Sequence, residues 1–181
     1  MRHYSLLLFL LLSIVASPSC IRISIEHSTE SSTPGQLSGK VIGVIDGDTY
    51  DLLLEGNEKR RIRMEGIDAP ERGMPYYQVA KQHLSDLCYG KQVTLKSSGQ
   101  DAYNRDLAYT YLPDGRELGQ EMIKAGLAWH LKKYNSDTLL ARLEIEARTA
   151  RKGLWTLRNP MAPWTNRALH RQGISTKDSF Q

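Results

Sequence analysis

Cysteine is nearly absent: with only Cys20 and Cys88 in 181 residues, no disulfide framework can hold this chain together. Long apolar runs are missing too, since the run from Leu6 to Ala16, broken by Ser13, is too short for a membrane span. No internal repeat is present, and low-complexity sequence is confined to residues 21–37 around SSTPG. A strong charge of one sign is also lacking where it would matter. The formal net charge is +4, yet residues 38–156 carry 18 basic against 17 acidic side chains, and from Arg158 onward four basic residues face one acid. Net charge therefore does not name a partner for the central region, and function has to be read from local constellations.

The length suits one domain with a real core. Arg2 and His3 before the short apolar run, then the small residues Ser17, Pro18 and Ser19, predict a signal peptide over 1–19. Export to the periplasm or the medium is the expectation. Two kinds of processing stay open: cleavage after Ala16 frees the protein, whereas processing before Cys20 leaves a cysteine for lipid attachment and is the one route to membrane contact. Residues 20–37 read as a flexible tether, in which IRISI is also compatible with an edge strand. Residues 38–157 form the domain, and 158–181 a basic C-terminal tail. A monomer is the default.

Periodicity predicts the elements. VIGVI, TYDLLLEG and RRIRMEGI read as three successive strands, with GNEK as a hairpin connection. PYYQVAKQHLSDLCYG switches to helical spacing, with Ala80, Leu84 and Cys88 on one side. Cys88 on that stripe reads as a buried small hydrophobe. KQVTLKS and LAYTYL alternate again, ELGQEMIKAGL is helical, and SDTLLARLEIEARTARKGL is the longest helix, capped by Asn135 or Ser136. The fold class is α+β, mainly β: a five-stranded barrel of the OB type with three α-helices.

Three charged clusters stand out. DGDTY (46–50) is a turn signal, but two acids around one glycine can also converge on a hard cation. In RIRMEGIDAPERG, Arg63 falls on the face opposite Ile62 and Met64, a face that solvent would ordinarily take. Pro70 pushes Ala69 into an extended conformation and removes an amide donor, so pairing should stop near Asp68, leaving Asp68 and Glu71 on a stiff rim. YNRDLAY sets Arg105 just before a strand. Arginines, carboxylates and a candidate cation site are what phosphodiester cleavage needs. Charge that builds on the phosphate and leaving oxygens is stabilised by a metal and bidentate guanidinium groups, and a carboxylate receives the proton of the attacking water.

IDGDT (45–49), RMEGIDAPE (63–71) and YNRDLAY (103–109), followed by GLA (126–128) and a helix ending RKGLW, resemble in order and spacing the staphylococcal thermonuclease (micrococcal nuclease) family over about residues 38–157. The resemblance implies an OB barrel with three helices and calcium-dependent, sugar-nonspecific hydrolysis of DNA and RNA, leaving 3′-phosphate and 5′-hydroxyl ends. By motif position it implies that Asp48, Asp68 and the Ala69 carbonyl ligate Ca2+, with Asp46 close behind. It makes Glu71 the general base, Arg63 the holder of the phosphate oxygens and Arg105 the stabiliser of the pentacoordinate state and leaving oxygen. Tyr103 matches a phosphate-contacting residue and Tyr134 one lining the base pocket.

This chain departs from the family at Ala69, where threonine is typical. It departs again at Ala102 and Lys132, where the staphylococcal enzyme has a phosphate-contacting lysine and a base-pocket tyrosine. Fewer residues separate Glu71 from the following helix than in that enzyme. WTLRNPMAPWTNR resembles the tails of other bacterial members, with Trp155 expected to pack on the domain and Trp164 either packing or meeting nucleic acid. The rival from another class is a non-catalytic OB module binding single-stranded nucleic acid, which has no need for Asp48, Asp68, Glu71, Arg63 and Arg105 together. An envelope protein with a purely structural calcium would explain the acids but not the arginines.

Overall fold

The computed structural model describes residues 36–177, so the signal-peptide, IRISI and Cys20 expectations fall outside the described residues. Strands β1 (Gln36–Val44), β2 (Thr49–Leu53) and β3 (Lys59–Met64) form the expected meander. GNEK becomes a single turn, with Gly56 and Asn57 at positive φ. After the two-residue β4 (Ile67–Asp68) comes α1 (Tyr77–Cys88), then β5 (Gln92–Gln100) and β6 (Asp106–Tyr111). The remaining elements are α2 (Leu118–Lys124), the two-residue β7 (Trp129–His130), α3 (Thr138–Thr149) and α4 (Pro163–Arg171).

Strands β1, β2, β3, β6 and β5 close, in that order, into the expected five-stranded barrel. Closure depends on two irregularities, at Val41/Gly43 in β1 and Ser97/Gly99 in β5, which bend the strands. It is completed by the parallel β3–β6 pair, registered Arg63 with Leu107. Alternate positions point inward: Tyr50 and Leu52, Ile62 and Met64, Val93 and Leu95 are all buried. Ala80, Leu84 and Cys88 of α1, Leu118 and Met122 of α2, and Leu140 and Leu143 of α3 pack into the same core. Cys88 is the buried residue its stripe predicts, with its thiol donating to the Leu84 carbonyl at 3.1 Å. Among the described residues no helix is long and apolar enough to cross a membrane.

A second, smaller cluster forms outside the barrel. Trp129 stands edge-on to Trp155, with centroids 5.2 Å apart, and to Trp164 at 6.5 Å, so the tail packs against the domain. Trp155 is buried as expected, and Trp164 stays partly exposed. This cluster needs Gly126. At φ 69° it adopts the left-handed conformation, its carbonyl accepts from the Leu154 amide at 2.8 Å, and a Cβ there would run into the Lys152 carbonyl oxygen. Gly126→Ala is therefore expected to cost about 2–4 kcal/mol in urea unfolding, from backbone strain together with overpacking.

Two features were not foreseen. Periodicity predicts three helices, but the tail segment APWTNRALHR forms a fourth, with Pro163 in its first turn. The cap of α3 is Asp137, which accepts from the Leu139 and Leu140 amides. Asn135 is unavailable as a cap because its side chain is tied to Tyr109 and His130.

Candidate active site

The β1–β2 turn carries the first acids. Ile45 and Asp46 amides both donate to the Thr49 carbonyl, and the Asp48 amide donates to the Asp46 carboxylate at 3.1 Å. Gly47 lets this turn lie against the rest of the site, since a Cβ there would come within 2.8 Å of the Ala69 and Ala80 methyls. Asp48 is buried; its Oδ2 accepts from the Ala69 amide at 2.6 Å and its Oδ1 from the Thr49 hydroxyl at 2.9 Å. Burial, then the charge of Asp48, pushes the Asp46 carboxyl up to about 6.

The rim forms as Pro70 requires. β4 ends at Asp68, which is registered with Trp129 of β7, and the chain then turns at Glu71, whose carbonyl accepts from the Met74 amide. Asp68 is almost fully buried, and that burial raises its carboxyl above the usual range despite the pull of Arg167.

Arg63 links the two segments. Its Nε lies 3.1 Å from Asp48 Oδ1, its Nη2 lies 3.0 Å from Asp68 Oδ1, and its Nη1 donates to the Met64 carbonyl at 2.7 Å. With its side chain only 11% exposed, it is no solvated strand residue. Glu71, one-third exposed, lies beside Asp68: a single guanidinium, that of Arg167 in α4, reaches Glu71 Oε1 and Asp68 Oδ2, each at 2.7 Å. The second Glu71 oxygen accepts from the Asn166 amide at 3.1 Å.

The structure thus brings Asp48, Arg63, Asp68, Ala69 and Glu71 together. Arg105 stands apart in its own loop, where its Nε donates to Asp101 Oδ2 at 2.6 Å and its guanidinium lies over the Tyr103 ring. Among the described residues its guanidinium has no hydrogen bond or ion pair to Asp48, Asp68 or Glu71. It sits two residues before Leu107, the partner of Arg63, so its loop flanks the centre. Tyr103 and Tyr134 are both strongly exposed, Tyr134 beside Lys133. Lys132 is turned to α3, pairing with the buried Glu144 at 2.6 Å.

Calcium takes about six to eight oxygens, several of them from water or backbone carbonyls. Among the described residues no group of three or more His, Cys, Asp or Glu is arranged to hold a metal ion. Asp48 and Asp68 nonetheless have the chemistry a hard cation takes: both are anionic oxygen donors, and both pair with the one guanidinium of Arg63. Their ligand set would be these two carboxylates and the Ala69 carbonyl, with Arg63 and Arg167 supplying the positive charge in the structure described here.

Residues 61–157 match the family model described as staphylococcal nuclease homologue. The turn with Asp46 and Asp48 precedes that range. A protein of Escherichia coli named as an uncharacterized endonuclease is 38% identical over 128 residues, which is 71% of this chain and 83% of the relative. A Haemophilus influenzae protein of the same name is 38% identical over 124 residues, covering 68% of this chain and 69% of its own length. A micrococcal nuclease of Shigella flexneri is 35% identical over 136 residues, covering 70% and 78%. A closed barrel with an acid and guanidinium centre, matched in this way, is that of a nuclease, a hydrolase by class. The chain belongs to the staphylococcal nuclease family.

Asn166 and Arg167 were not anticipated. The sequence carried a faint signal, a basic tail with a proline placed to open a helix, but nothing in it pointed that helix at Glu71.

Proposed function

We propose that the protein is a calcium-dependent, sugar-nonspecific nuclease that hydrolyses DNA and RNA to 3′-phosphate and 5′-hydroxyl ends. The observation that carries this reading is Arg63 paired at once with Asp48 and Asp68, with Glu71 alongside. Calcium on Asp48, Asp68 and the Ala69 carbonyl would supply charge stabilisation at the phosphate oxygens. The rest falls to the chain. Glu71 takes the proton of the attacking water as the water oxygen bonds to phosphorus, and the bond to the 5′ oxygen breaks, that oxygen taking a proton from bulk water to become the 5′-hydroxyl. Arg63 offers its planar fork to the phosphate oxygens, and Arg105 turns from Asp101 to the leaving oxygen. Tyr103 and Tyr134 offer exposed rings to the substrate strand.

The same proposal includes export, which rests on the apolar run from Leu6 to Ala16, with lipid attachment following only if processing exposes Cys20.

The test uses a fluorescently labelled single-stranded DNA and the matching RNA. Both should be cut in calcium, survive when a chelator is added, and be cut again when calcium is restored, with phosphate retained on the 3′ ends. Binding without cleavage in every metal would leave only a nucleic-acid-binding barrel. Cleavage that persists in chelator would remove calcium from the proposal.

A further inference from the structure

The last helix ends its path on the carboxylate proposed above as the base. Trp164 fixes its approach by standing against Trp129, the strand partner of Asp68. Two residues on, Asn166 is 2% exposed and has both ends of its amide engaged. Its Nδ2 donates to Glu71 Oε2 at 3.1 Å, and its Oδ1 accepts from the buried Thr176 hydroxyl. The direction of this chain is forced. A carboxylate only accepts, so the NH2 of Asn166 must face Glu71. Its oxygen then faces Thr176, the threonine proton is committed to it, and the Thr176 oxygen is left to accept from His170 Nε2 at 3.0 Å. Arg167 takes the other Glu71 oxygen and spans to Asp68, with both contacts at 2.7 Å.

A simple lid over the site would bury what it covers. Here the Arg167 and Glu71 side chains remain 40% and 33% exposed. Each Glu71 oxygen receives a single hydrogen bond from α4, and a carboxylate has about four acceptor positions, so each oxygen keeps room for a water. Glu71 itself lies in a connection between β4 and α1, where the backbone alone does not hold a side chain to the tolerance proton transfer demands. We propose that α4 belongs to the active centre, with Asn166 and Arg167 as positioning residues that hold the Glu71 carboxylate toward the attacking water. This rests on the reading of Glu71 as the proton acceptor.

The experiment is a double-mutant cycle on the full chain, with kcat and KM measured on a single-stranded DNA oligonucleotide in calcium and melting followed by tryptophan fluorescence. Arg167→Ala should lower kcat by about tenfold to a hundredfold, the scale of a misplaced catalytic group, with KM little changed, and should lower melting less than Arg63→Ala does, because Asp48 and Asp68 both keep Arg63. Low concentrations of guanidinium chloride should restore part of that rate, and Arg167→Lys should lie between Arg167→Ala and wild type. In a Glu71→Gln background the same Arg167→Ala change should cost almost nothing more. An equal loss in both backgrounds, a rise in KM alone, or a faster Arg167→Ala enzyme would overturn the proposal, the last by making α4 an inhibitor. Wild-type turnover in Glu71→Gln alone would instead overturn the base reading, and the proposal with it.

Discussion

Glu71→Gln is expected to cut turnover by about a hundredfold or more, the usual size of general-base catalysis, while the protein folds and still binds DNA. Glutamine keeps the shape and one acceptor oxygen, so the Asn166 contact at Oε2 can survive, but it cannot take a proton. The side chain is one-third exposed and outside both apolar clusters, so its loss opens no cavity in the core. Single-turnover cleavage of a labelled oligonucleotide at saturating enzyme, alongside an anisotropy measurement of binding, separates the two effects. Glu71→Ala is the less clean variant, because it strips Arg167 and Asn166 of a partner at once. Undiminished cleavage by Glu71→Gln would assign the proton to another group.

Arg63→Lys is the second large loss. The guanidinium meets three acceptors at once, Asp48 Oδ1, Asp68 Oδ1 and the Met64 carbonyl, within 2.7–3.1 Å. An ammonium keeps the charge but not the planar fork, so it cannot satisfy both carboxylates and then present two parallel donors to a phosphate. A fall in kcat/KM of about a hundredfold to a thousandfold is expected, the scale of removing one donor from a preorganised oxyanion site. Arg63→Ala should differ in kind. It leaves two buried carboxylates without their common counter-ion, and about 3–5 kcal/mol of stability should go with it, read by urea unfolding. If Arg63→Lys cleaved like wild type, the phosphate-binding role of Arg63 would fail.

What could be read from the residues follows the range of the forces involved. The barrel strands were legible because alternation is local, and Pro70 marked the end of β4 by itself. Asp48, Arg63, Asp68 and Glu71 were legible as a set because their motifs lie close along the chain and in a recognisable order. The burial of Arg63 was not, since period two only puts it opposite Ile62 and cannot say that acids from a neighbouring turn will close over it. The β4–β7 ribbon, two residues on each side, is too short to leave a periodic signal. Arg167 reaches Glu71 across 96 residues of sequence, a contact that becomes visible only once the tryptophan cluster has placed α4. Arg105 shows the opposite limit: its motif marked it, but its loop holds it to Asp101.

The barrel and its acids are complete in sequence before α4 is made. A nascent chain emerging in order would therefore present folded strands, both aspartates and Glu71 while the segment that steadies them was still inside the ribosome. On the proposed role of α4, the full rate of cutting arrives only once Asn166 and Arg167 have docked on Glu71, later than the barrel that carries this carboxylate.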